Sequence, residues 1–153
     1  MKTLRVSDCS WMTPLGMKNV QLRQFFKVDD ARGPLWVAQH TTGLPFEPKR
    51  FFFIRDVPPD TTRGGHAHKE LQELLVCLRG SVSVTVYDGE RHMTLVLDTP
   101  ETTLHFGPLV WATQHDHSPD CELLVLASLP YRADDYIRSL EDFEAQVKAR
   151  KSN

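Results

Sequence analysis

Arg63-Gly64-Gly65-His66-Ala67-His68, followed by Glu73 and Gly80, is the stretch from which the rest of the chain is read. An apolar, aromatic run, Arg50 through Val57, precedes it, and Leu74-Leu75-Val76-Cys77-Leu78 follows, closed by Arg79-Gly80. Ser81 through Tyr87 then alternates with period 2 and ends on Asp88-Gly89, a hairpin signal. The His pair therefore sits in strand context. Residues i and i+2 of a strand share a face, so His66 and His68 are expected to point the same way. Two imidazoles aimed into one cavity can bind a metal or move protons near neutral pH.

Outward from this stretch the pattern stays β. Val20–Val28 and Leu35–His40 read as strands around an Asp29–Pro34 turn. Arg91–Asp98, Leu104–Pro108, Leu109–Thr113 and Cys121–Ser128 complete about nine short strands separated by Gly, Pro and Asp turns. The expected fold is all-β, an antiparallel jelly roll in a single domain over 1–153. Only the tail differs. Tyr136, Leu140, Phe143 and Val147 recur at helical spacing, with Asp134 and Asp135 before them and Lys148 and Arg150 after, which predicts a C-terminal helix over about 134–149.

Composition excludes several classes. A formal net charge of -2 gives no electrostatic case for nucleic acid, and no apolar run approaches the roughly 20 residues of a membrane helix. Cys9, Cys77 and Cys121 are dispersed and odd in number, which fits a reducing compartment; a cytoplasmic location is expected.

The residues Arg63 through Lys69, Val76 through Ser81, Tyr87-Asp88-Gly89, Pro108 through Trp111, Leu124 through Ser128, and Tyr131 through Arg138 together resemble the cupin-type 3,4-ketoisomerases of dTDP-4-keto-6-deoxyglucose. Asp30 through Leu35 and Leu44-Pro45-Phe46 also match that family's N-terminal pattern, so the resemblance covers roughly 20–145. It implies a cupin barrel, a homodimer exchanging N-terminal strands at about 20–40, and a metal-free site with no cofactor. It also implies that His66 and His68 are the proton-transfer pair for a dTDP-linked sugar. Arg63 is then placed to neutralise an enediolate or the diphosphate, or is simply a turn residue. Trp111 is a candidate for stacking on thymine, or for the core. Phe53, Glu73 and His117 are further candidates for substrate contact.

Four departures bear on this expectation. Many family members carry a tyrosine where this chain has Phe51-Phe52-Phe53, and often a glutamine where it has Glu73. Gln39 replaces a common glutamate, and His117 an aromatic residue. Glu73 also opens a second reading, because His66-x-His68-x4-Glu73-x6-Gly80 has the spacing of metal-binding cupins. Under it the three side chains are ligands, although the position expected to supply a later histidine falls among Val110, Ala112 and Thr113. A nucleotide-sugar-binding cupin without catalysis is the third reading.

Overall fold

Alternation of apolar and polar residues builds two facing sheets, described by a computed structural model over residues 1–10 and 12–153. One has six strands in the order β1 (Lys2–Arg5), β11 (His92–Leu97), β10 (Val82–Tyr87), β13 (Trp111–His115), β8 (Arg63–His68) and β15 (Tyr136–Ile137). The other has five, β2 (Val20–Gln24), β12 (Thr102–Phe106), β9 (Glu73–Arg79), β14 (Glu122–Ala127) and β7 (Arg50–Arg55). All pairings in these sheets are antiparallel except β1 with β11, and β1 lies outside the strands expected from sequence. The jelly roll is realised as two facing sheets. A hairpin of β3 (Phe26–Asp30) and β4 (Gly33–Val37) pairs only with itself, and β5 (Gln39–His40) pairs with β6 (Gly43–Leu44).

The core lies between the sheets. Leu75, Cys77, Val84, Leu95, Leu104 and Leu123 are buried there, and Cys121 joins them. β9 is apolar on both faces for a physical reason. Leu75 and Cys77 point into the sandwich, while Leu74 and Val76 are covered on the outer face by Phe46, Phe25 and Leu44. The Asp88-Gly89 turn joins β10 to β11 as its composition indicates. The Asp88 carboxylate accepts N–H groups from Glu90, Arg91 and Lys18 at 2.8–2.9 Å.

The helix, α1 (Leu140–Lys151), starts six residues later than the spacing predicts. Ser139 caps it, its Oγ accepting the Asp142 N–H at 3.2 Å. Tyr136 and Ile137 are instead extended, paired with His68 and Ala67 of β8. Phe143 and Val147 anchor the helix on the outside of the six-stranded sheet, against Tyr87 and Trp111.

Candidate active site

Gly64 and Gly65 shape the strand that carries the two histidines. Both have φ near +75°, at +78° and +75°, and the β8–β13 register shifts beside them, with Gly64 opposite Thr113 and His66 opposite Ala112. A Cβ on Gly64 would stand 2.8 Å from the Ala112 carbonyl oxygen, so a side chain there forces the two strands apart. The bulge turns the following residues inward. His66 and His68 share one face, their ring centroids 5.0 Å apart.

These rings enter a cavity of about 180 Å³ between the sheets. Arg63, Gly64, Ala112 and Gln114 line it from the six-stranded sheet, and Phe52, Ile54, Glu73 and Phe106 from the other. Larger hollows, about 450 and 490 Å³, lie beside the β3 hairpin and beside His105, but neither contains the paired imidazoles. The small cavity is the one with the chemistry.

The sequence candidates divide between the cavity and its surroundings. His66, His68, Arg63 and Glu73 come together in it. Phe53 does not: β7 alternates, so Phe52 and Ile54 face inward while Phe53 is 65% exposed on the outer side. Trp111 is likewise outside, its ring 5.8 Å from Phe143 under the helix, because Ala112 and Gln114 take the inward positions of β13. His117 follows β13 and is not among the lining residues, although both its ring nitrogens are buried without a partner. Burial lowers its pKa, and the Arg63 charge acts the same way.

Two residues missed in the sequence stand closest to the pair. The Tyr136 ring lies 4.9 Å from His66 and 4.5 Å from His68, and lines the cavity. Asp135 is 2% exposed, with Oδ2 3.0 Å from His68 Nδ1. Both fall within the helix that the spacing predicts over about 134–149. The Ser139-x-x-Asp142 cap is the signal that separates them from it.

Electrostatics distinguish the imidazoles. Burial pushes the His66 pKa below the ordinary imidazole value; charge on His68 acts the same way, and Glu73 pulls against both. His66 is therefore neutral at neutral pH and able to accept a proton. His68 lies between Asp135 at Nδ1 and Glu73, whose Oε1 is 3.6 Å from Nε2 and outside hydrogen-bond range. One donor atom each from His66, His68 and Glu73 also falls within 4.8 Å of the others, a set that a divalent metal would accept.

A family model described as "FdtA: WxcM-like, C-terminal" matches residues 18–148. A TDP-4-oxo-6-deoxy-alpha-D-glucose-3,4-oxoisomerase of Aneurinibacillus thermoaerophilus is 42% identical over 123 residues, which are 80% of this chain and 88% of the relative. Among solved structures, a mutant of the 3,4-ketoisomerase QdtA from Thermoanaerobacterium thermosaccharolyticum, in complex with TDP-4-keto-6-deoxyglucose, is 36% identical. It covers 88% of this chain and 97% of its own, with a TM-score of 0.85. The TDP-quinovose 3,4-ketoisomerase WlaRB of Campylobacter jejuni is 34% identical over 84% of this chain and 99% of its own, with a TM-score of 0.81. With its His pair set in the same architecture, the chain belongs to the sugar 3,4-ketoisomerase family.

Proposed function

We infer that this chain moves the keto group of a TDP-4-oxo-6-deoxyhexose from carbon 4 to carbon 3. The observation that carries the reading is the placement of His66 and His68 side by side in a partly apolar cavity between the sheets. The reaction removes the proton on carbon 3, which the adjacent carbonyl acidifies, and leaves an enediolate. The proton of the carbon 3 hydroxyl is given up, the oxygen on carbon 4 gains one, and carbon 4 receives a proton to complete the isomer. No atom is gained or lost. Each transfer needs a group whose pKa lies near ambient pH, and imidazole meets that requirement. His66 and His68 are the groups assigned to these transfers, with the Tyr136 ring beside them. Appearance of the 3-oxo sugar by NMR after adding TDP-4-oxo-6-deoxyglucose tests the reading.

A nucleotide sugar also needs cations for its diphosphate. Arg50, Arg63 and Arg138 have no carboxylate partner among the described residues. Arg50 is stacked between Phe52 and Tyr131, and Arg138 lies 4.3 Å over the Tyr136 ring. Arg63 lines the cavity, and the other two guanidiniums lie over rings that line it, so the three are the candidates for the diphosphate. The three free cysteines fit a reducing, cytoplasmic setting. No helix among the described residues is long and apolar enough to cross a membrane.

The protein acts as a homodimer in which the β3–β4 hairpin lies on the partner. Phe26 and Leu35 are 68% and 57% exposed on that hairpin, an apolar surface left uncovered within one chain. Light scattering should give twice the 17.5 kDa chain mass, and Phe26→Asp with Leu35→Asp should halve it. A parent protein that stays monomeric at micromolar concentration contradicts the exchange.

Glu73 tests the choice between proton transfer and a metal site. Because its charge raises the His66 pKa, Glu73→Gln should leave an active enzyme whose acidic limb of kcat/KM moves to lower pH. In the second reading, favoured by the compact His66, His68 and Glu73 donor set, Glu73→Gln releases a stoichiometric metal and abolishes activity together. Elemental analysis beside the pH profile decides between them.

A further inference from the structure

His68 meets two different environments through its two ring nitrogens. Nδ1 lies 3.0 Å from Asp135 Oδ2, while Nε2 is buried and has no hydrogen-bond partner. A carboxylate can only accept, so Nδ1 carries the proton in this contact and the Nε2 lone pair of the neutral ring is left for the cavity. Asp135 itself has little freedom. Its Oδ1 accepts the Glu70 N–H at 2.8 Å, and Oδ2 accepts the Leu71 N–H at a longer 3.3 Å. Its carbonyl accepts the Lys69 N–H at 2.9 Å, and the next residue, Tyr136, pairs with His68 across the sheet edge.

A clamp on the 69–71 turn uses the carbonyl for Lys69, Oδ1 for Glu70 and Oδ2 for Leu71, and Oδ2 also serves the imidazole. Oδ2 is nearer to the imidazole than to the Leu71 amide, so its stronger contact is with the histidine. Asparagine at this position has one acceptor oxygen and one donor nitrogen, and cannot serve the amides and Nδ1–H together.

We propose that Asp135 is a positioning residue for the isomerisation, fixing the Nδ1–H tautomer and orientation of His68 so that Nε2 is its working nitrogen. The proposal rests on the ketoisomerase reading for its catalytic consequence, but the tautomer does not. In Asp135→Asn, Oδ1 stays with the Glu70 amide and the new NH2 faces Nδ1, which forces the neutral ring into the Nε2–H form. The same exchange in a catalytic His–Asp pair costs about 10⁴ in kcat by presenting the wrong tautomer.

Nitrogen-15 NMR of the histidine-labelled full chain reads this directly. Neutral His68 in the parent protein should give the Nδ1–H pattern, Asp135→Asn the Nε2–H pattern, and Asp135→Glu a return toward Nδ1–H. In turnover, Asp135→Asn should lose about a hundredfold or more in kcat, with KM changed by less than about threefold. An Nε2–H pattern in the parent protein overturns the proposal even if Asp135→Asn fails to fold. So does an Asp135→Asn protein with the parent's tautomer or with undiminished kcat. A parent protein with the Nδ1–H pattern but no turnover of the keto sugar would leave the tautomer assignment standing and remove the ketoisomerase reading.

Discussion

Replacing either His66 or His68 by Asn is expected to leave the protein folded and to lower turnover by about a hundredfold or more, the scale of losing a general acid or base. The two rings face one cavity with their centroids 5.0 Å apart, so each stands where a bound sugar would exchange protons with it. The effect should fall mainly on kcat, because the diphosphate contacts assigned to Arg50, Arg63 and Arg138 lie outside the exchanged side chains. Steady-state kinetics on each single variant, with circular dichroism as a check on folding, measures it. Combining the two substitutions should cost much less than the product of the single effects, since the groups act on one proton path. A double variant with full activity removes the pair from the chemistry.

The second large effect is on stability. His105 of β12 is held in its neutral form: the Gln21 side-chain amide donates to Nδ1 at 2.8 Å, and Nε2 donates to Gln72 Oε1 at 2.9 Å. Burial first, and then the Arg23 charge, push its pKa down to about 4. The unfolded chain binds that proton near pH 6.5, so between those values the unfolded state carries a proton that the fold refuses. Stability from this site is therefore fully present above about pH 6.5 and is lost as pH falls toward 4. The loss is about 3 kcal/mol across the window. Denaturant unfolding at several pH values should show a steeper dependence in the parent protein than in His105→Gln, where the titrating group is gone. Other buried histidines contribute equally to both proteins, so the difference isolates this one. Equal slopes contradict it.

How much of this could be read beforehand varies with the local signal. The period-2 runs around the His pair and the Asp88-Gly89 turn carry their geometry in their composition, and β8, β10 and β11 follow it. The Gly-Gly bulge could be suspected from residue type, but its register against β13 depends on a strand 47 residues away from Gly65 at Ala112. Three consecutive phenylalanines in β7 hide the alternation, and nothing in Phe51-Phe52-Phe53 says which one faces the cavity. Trp111 is obscured similarly, since only the packing of its ring against Phe143 shows that Ala112 and Gln114 take the inward face of β13. The costliest miss was Asp135-Tyr136. Their helical spacing to Leu140 and Phe143 is real, but edge pairing with β8 holds them extended and outweighs it. Short β1 is held by tertiary contacts that its four residues do not announce: pairing with β11, Leu4 against the core and Arg5 against Asp98.

The measurement that bears most directly on the central claim is the reaction itself in D2O. Purified protein is incubated with TDP-4-oxo-6-deoxyglucose, and the sugar is followed by proton and carbon NMR. The carbonyl resonance should move from carbon 4 to carbon 3, with solvent deuterium entering at the carbons that exchange protons with the His pair, and with rates unaffected by chelators. A keto sugar that binds but keeps its carbonyl at carbon 4, with no deuterium at carbon 3 or carbon 4, would contradict the account.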